Sequence, residues 1–180
     1  MMDWEQVKHR YRQGDAKQIY GMSDSPIRTK LCDYIIENFS DCKSFFEFGC
    51  SAGYNLQRIK QKLPDAKYEG IDLNIDAIIW GQRLGHNINI GDEDTLKTIL
   101  DDEFDIAFTS SVMNHIPKTH FPGIMKQLKR IAGKHIICME GNVSKEPDYF
   151  IHDWPRWGFE LKENIGKGMW VEYYIWQCDK

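Results

Sequence analysis

The chain has 180 residues, 42% hydrophobic and 13% aromatic, which suits one domain burying roughly 70% of the surface its unfolded form exposes. A formal charge of −4 and a sequence pI near 5.9 argue against a polyanion as main partner, so no nucleic-acid role is expected. No run approaches the ~18 apolar residues of a membrane span, the Met1–Gln6 start has no apolar export core, and no membrane association is expected. The five cysteines, Cys32, Cys42, Cys50, Cys138 and Cys178, are scattered, with no Cys-x-x-Cys pair and no histidines at zinc spacing. They read as reduced thiols of a cytoplasmic protein without a metal site.

In chain order, Trp4 to Gln13 reads as a polar helix and Gly14 to Ser25 as a loop. Ser25-Pro26 then opens a helix carrying Leu31, Tyr34, Ile35, Ile36 and Phe39, because proline loses nothing at a first helical turn. From residue 43 the pattern alternates strands at 44–48, 67–72, 86–90, 104–109 and 135–140 with helices at 53–63, 74–84, 92–100 and 119–131. Such alternation predicts right-handed βαβ units and a parallel sheet covered on both faces. After Glu140 comes a loop rich in Asn, Ser, Pro and Asp, and then apolar runs at 157–161 and 169–176 flank the turn residues Asn164 to Gly168. These predict a closing antiparallel hairpin.

The expected fold is a single α/β domain over 1–180, a Rossmann-like three-layer sandwich whose mostly parallel seven-stranded sheet ends in a C-terminal antiparallel hairpin. Residues 1–42 form a helical cap, with Trp4, Tyr11, Tyr20 and Met22 placed to fold over the site mouth. Residues 43–141 form the βαβ core, and 142–180 a substrate loop and the hairpin.

The chemistry concentrates in Phe45-Phe46-Glu47-Phe48-Gly49-Cys50-Ser51-Ala52-Gly53, a strand breaking into a glycine-bracketed turn before a helix. Glycine reaches φ > 0 and lets a ligand approach the backbone at a helix N-terminus. Asp72 ends the next apolar run about twenty residues on, the offset at which a parallel α/β crevice meets ribose hydroxyls. Together they point to a nucleoside-bearing cofactor. Read literally, Gly49-x-Ser51-x-Gly53 also satisfies the nucleophile elbow of an α/β-hydrolase, with Ser51 as nucleophile. One strand precedes it instead of several, and His115, His120, His135 and His152 compete for the base without distinguishing context. A dinucleotide fold wants a third glycine where Tyr54 stands.

The spacing of Glu47, Gly49, Ser51 and Gly53 resembles the first motif of class I S-adenosylmethionine-dependent methyltransferases, an acid then Gly-x-Gly-x-Gly, with Ser51 replacing the middle glycine. Asp72-Leu73, the pair Asp92-Glu93 and the run FDIAFTSSVMNHIP from Phe104 to Pro117 resemble the family's later segments in the right order. The resemblance implies that Glu47, Gly49, Ser51 and Gly53 form the cofactor turn and that Asp72, with Leu73, takes the ribose hydroxyls. It implies that Asp92 and Glu93 stand by the adenine, that Ser110 and Ser111 border the methionine part, and that His115 faces the transferred methyl as the candidate catalytic residue. Topology alone adds Glu140, His152 and Asp153 to the crevice.

These expectations amount to an S-adenosylmethionine-dependent methyl transfer, releasing S-adenosylhomocysteine, onto a small molecule, since an acidic chain without insertions offers no nucleic-acid clamp. The His-Ile-Pro loop resembles methylases associated with nonulosonic-sugar biosynthesis, which implies a sugar or another metabolite hydroxyl or amine. A protein or peptide acceptor, or a catalytically silent cofactor-binding partner subunit, are the alternatives, and a monomer or homodimer is expected.

Overall fold

In a computed structural model, which describes residues 4–12, 26–141, 149–167 and 172–180, the alternation of the sequence becomes one seven-stranded sheet. Its strands are β1 (Ser44–Phe48), β2 (Lys67–Asp72), β3 (Ile88–Ile90), β4 (Phe104–Ser110), β5 (Ala132–Gly141), β6 (Glu160–Lys167) and β7 (Glu172–Asp179). The helices are α1 (Trp4–Arg12), α2 (Pro26–Asn38), α3 (Tyr54–Lys62), α4 (Ile75–Arg83) and α5 (Phe121–Ile131). Strand order is β3-β2-β1-β4-β5-β7-β6, with β1 to β5 parallel and β7 antiparallel to both β5 and β6. The order of strand addition reverses between β1 and β4, where an open parallel sheet leaves a crevice beyond its strand ends.

Strand periodicity divides the core. Phe45, Ile106, Phe108, Ile137 and Met139 face α2 and α3 with Leu31, Ile35, Leu56 and Ile59. Their neighbours Phe46, Ala107, Ile136 and Cys138 face the opposite layer, with Ile124, Met125 and Leu128 of α5 and Trp4 and Val7 of α1. Both faces of the central strands are covered, so those strands read as continuous apolar runs.

Three local expectations change. The helix expected over 92–100 is only a 3₁₀ turn at Thr95–Thr98. Asp92 accepts the Asp94 N–H at 3.0 Å and Thr95 Oγ1 accepts the Asp92 N–H at 3.1 Å, so side chains satisfy the backbone locally in place of a helical ladder. The third strand begins at Ile88, and His86 is drawn away to the Ala52 carbonyl at 2.6 Å. The residues read as a hairpin turn, Asn164 to Lys167, lie in β6 at a register irregularity, where Gly166 at φ +99° donates its N–H to Asn164 Oδ1 at 3.0 Å. The expected loop over 14–25, with Tyr20 and Met22, and residues 142–148 lie outside the described residues.

Candidate active site

The crevice is assembled edge to edge at the carboxyl ends of the parallel strands. The N–H groups of Gly49 and Cys50 donate to the Ile71 carbonyl at 2.8 and 3.0 Å, and Gly91 N–H donates to the Asp72 carbonyl at 3.0 Å. The turns after β1, β2 and β3 thus share one hydrogen-bonded line. In the first turn Gly49, Ser51 and Gly53 have φ of +76°, +50° and +80°. A Cβ on Gly49 would collide with the Val112 side chain, which the loop after β4 lays across it, so this glycine is demanded by φ and by space together. Ser51 bears the strain of a left-handed backbone, and its N–H is held by Asp72 Oδ2 at 2.7 Å.

Asp72 takes a second N–H, from Asn74, on Oδ1 at 2.8 Å. Burial pushes this carboxyl upward, while the Asn74 and Ser51 donors and the Arg28 charge pull against it. A carboxylate has about four acceptor sites, so Asp72 keeps acceptor capacity for a ligand hydroxyl beside the N–H groups it already holds. Ser110 Oγ is a buried hydroxyl with no hydrogen-bond partner, and Oε2 of Glu47 and of Glu93 are likewise unpartnered. A vicinal diol at Asp72 and a polar group at Ser110 fit this donor and acceptor set, and the residues present suit a nucleoside-bearing cofactor.

Glu47 is fully buried on β1, and its Oε1 accepts Asn55 Nδ2 at 2.6 Å. Burial raises its carboxyl to about 8, the Asn55 bond and Arg28 opposing. It carries a proton at neutral pH. Leu73 is half-buried directly after Asp72. Asp92 and Glu93 follow β3, where α1 reaches them: Trp4 Nε1 donates to Glu93 Oε1 at 2.6 Å, Lys8 Nζ at 3.2 Å, and an Arg12 guanidinium nitrogen lies 3.8 Å from Asp92. At the other side of the crevice the Tyr11 hydroxyl lies 2.7 Å from His115 Nδ1. One face of α1 therefore spans from the acids after β3 to the loop after β4.

Residues 24–174 match the family model described as Methyltransferase domain. The chain belongs to that family. No curated protein matches it. Among solved structures it is similar to an S-adenosylmethionine-dependent methyltransferase from Archaeoglobus fulgidus, 16% identical, TM-score 0.72, covering 92% of this chain and 100% of that one. It is similar to magnesium protoporphyrin IX methyltransferase from Synechocystis PCC 6803 with bound S-adenosylhomocysteine, 11% identical, TM-score 0.70, covering 98% and 92%. A methyltransferase complexed with the Trm112 activator of Haloferax volcanii is 12% identical, TM-score 0.69, covering 90% and 93%. These are likenesses of fold, and they agree with the expected sheet.

In this methyltransferase, Glu140 corrects the topological expectation. It does not open on the crevice: it is fully buried and accepts Thr109 Oγ1 at 2.8 Å and the N–H groups of Val112 and Asn114 at 3.2 and 3.3 Å. It fastens the loop that presents His115. Burial raises its carboxyl to about 7 against these donors. His152 is also buried, its ring stacked on Phe121 at 3.8 Å, its Nε2 donating to the Met113 carbonyl at 2.8 Å. Burial and the nearby Lys118 charge push it down to about 4, so it is neutral and packs the loop. Asp153 is exposed beside it. His135, at the opposite end of β5, pairs with Asp179 at 2.8 Å, and at the glycine turn His86 bonds the Ala52 carbonyl, so neither imidazole serves Ser51.

The sequence reading missed Lys8 and Arg12, although with Trp4 and Tyr11 they stand at i, i+4, i+7 and i+8, one face of a helix. It also missed Asn55, which holds Glu47, and Tyr149, whose ring lies edge-on to His115 at 4.7 Å. The partners of Lys8, Arg12 and Tyr149 lie far off in the sequence, while Asn55 stands only eight residues after Glu47. Among the described residues no helix is long and apolar enough to cross a membrane.

Proposed function

We propose that this methyltransferase transfers a methyl group from S-adenosylmethionine to a small-molecule hydroxyl or amine. The observation that carries the reading is Asp72, half-buried at the end of β2, whose oxygens hold the Ser51 N–H of the first turn and the Asn74 N–H of the second. Asp72 accepts the ribose hydroxyls, and the Gly49–Gly53 turn lets the ligand approach the backbone. Asp92 stands at the adenine end, with Glu93 beside it holding α1, and Ser110 offers its hydroxyl to the methionine end.

S-adenosylmethionine, when bound, supplies a methyl already activated by its sulfonium, so orientation of the acceptor does most of the remaining work. With Nδ1 held by Tyr11, proton acceptance from the acceptor falls to Nε2 of His115. α1, held at Glu93 and at His115, lies across the crevice and limits water there. This cover favours a small acceptor over a protein surface. The five buried free cysteines support a cytoplasmic setting.

Calorimetric titration with S-adenosylmethionine and S-adenosylhomocysteine, with NADH as control, tests the reading. Saturable micromolar binding of the first two alone supports it, and absence of binding overturns it. Release of S-adenosylhomocysteine upon addition of a metabolite pool, and not of a protein extract, supports the small acceptor.

A further inference from the structure

Beyond His115 lies a cavity of about 530 Å³, within the size range of small-molecule sites. Its lining includes Lys118, Phe121, His152, Asp153, Arg156 and Trp157. The segment that contributes His152 runs back to Tyr149, which touches His115, and Phe150 donates its N–H to the Asn114 carbonyl at 2.7 Å. Lys118 stands three residues after His115, as His152 does after Tyr149. Three residues span at most about 10 Å, so the near wall of the cavity lies within the length of a small metabolite of His115.

The cavity has a definite chemistry. Its floor is aromatic: Phe121 and His152 are stacked, and Trp157 lies edge-on to Phe121 at 5.6 Å. Lys118 and Arg156 supply two cationic heads, and among the described residues neither side chain forms a hydrogen bond or ion pair. Asp153, the acid in the lining, has Oδ1 occupied by the Arg156 backbone N–H at 3.4 Å. The adjoining helix α5 has no acid in its first turn to offset its positive end. In a chain of net charge −4, two cations beside one acid over an aromatic floor form a local positive excess among the described residues.

We propose that this cavity binds the anionic group of the methyl acceptor, a carboxylate or a phosphate carried on a flat or apolar body. The proposal rests on the methyltransferase reading for the word acceptor, but the cavity's preference for an anion stands separately. The body lies on Phe121, His152 and Trp157, and Lys118 and Arg156 close on the charge.

The test uses the full chain, labelled with ¹⁵N, titrated with benzoate, phenyl phosphate and the neutral analogue benzamide. Saturable shifts of the Trp157 indole N–H with either anion and not with benzamide support the proposal, and the tighter anion identifies the group. Charge reversal by Lys118→Glu with Arg156→Glu, at two exposed positions, is expected to raise the dissociation constant at least tenfold while S-adenosylhomocysteine affinity is kept. Equal shifts with benzamide, no shifts with either anion, or affinity unchanged by charge reversal would overturn it. Failure of the unsubstituted protein to bind S-adenosylhomocysteine overturns the methyltransferase reading instead, and the anion titrations still decide the cavity.

Discussion

The Tyr11 hydroxyl and His115 Nδ1 lie 2.7 Å apart although 104 residues separate them in the chain. The contact couples the helix over the crevice to the imidazole beneath it, with the two rings 4.8 Å apart and Tyr149 on another side of His115. A hydrogen bond at one ring nitrogen decides which tautomer the other presents. His115→Ala is expected to lower turnover by roughly 10²–10⁴-fold, the usual worth of general-base catalysis, with S-adenosylhomocysteine affinity close to normal. Tyr11→Phe is expected to move the ¹⁵N shifts of His115 toward a mixture of tautomers. Full turnover in His115→Ala would reduce the histidine to packing.

Asp72 both holds the strained Ser51 backbone and carries the proposed ribose contacts. Asp72→Ala is expected to weaken S-adenosylhomocysteine binding by more than tenfold, about 1.4 kcal/mol or more. Asp72→Asn keeps an oxygen for one backbone N–H and serves as the better-folded variant. Calorimetry on either, with circular dichroism confirming the fold, gives the answer, and unchanged affinity would remove the ribose assignment.

Glu140 gathers Thr109, Val112 and Asn114 onto one buried carboxyl. Glu140→Ala leaves these donors without an acceptor, each such loss costing about 1–3 kcal/mol, and is expected to destabilise the protein by about 3 kcal/mol in urea unfolding. Glu140→Gln retains one oxygen and loses less. If the alanine variant unfolds at the wild-type midpoint, the carboxyl does not fasten the loop.

Glu47 gives a pH signature. Its folded value of about 8 lies above the ordinary 4.5, so between these limits the native carboxyl keeps a proton that the unfolded chain has released. Its contribution is present below about 4.5 and is lost as pH rises toward 8, because the native state binds the extra proton. Glu47→Gln copies the neutral form. Relative to wild type the variant is expected to gain roughly 2–4 kcal/mol between pH 5 and pH 8. Urea unfolding of both proteins at the two pH values checks this, and a constant difference would contradict a buried neutral carboxyl.

Much of this molecule was legible in the chain, for reasons visible at particular residues. Phe45 and Phe46, or Ile136 and Ile137, are adjacent apolar residues because a strand places them in opposite cores, and the alternation with helical spacing predicted the parallel sheet. The Gly49-to-Gly53 turn was legible because φ > 0 and the closeness of Val112 restrict residue type. Asp92 to Thr95 misled, since a run of acids before an apolar periodicity resembles a helix start, while its side chains complete their own turn. Asn164 and Gly166 misled similarly, because the residues that make turns also make bulges.

Sequence by itself determined the alternation of elements, the glycine turn and the acids at the strand ends, since each depends on backbone conformation or on periodicity within one segment. The tertiary structure alone decided that Glu140 faces inward to fasten a loop, that α1 reaches Glu93 and His115, and that Lys118 and Arg156 meet at one cavity. Those arrangements depend on where segments 26 to 104 residues apart come together, and burial and hydrogen-bond satisfaction fix that only when the whole sheet has formed.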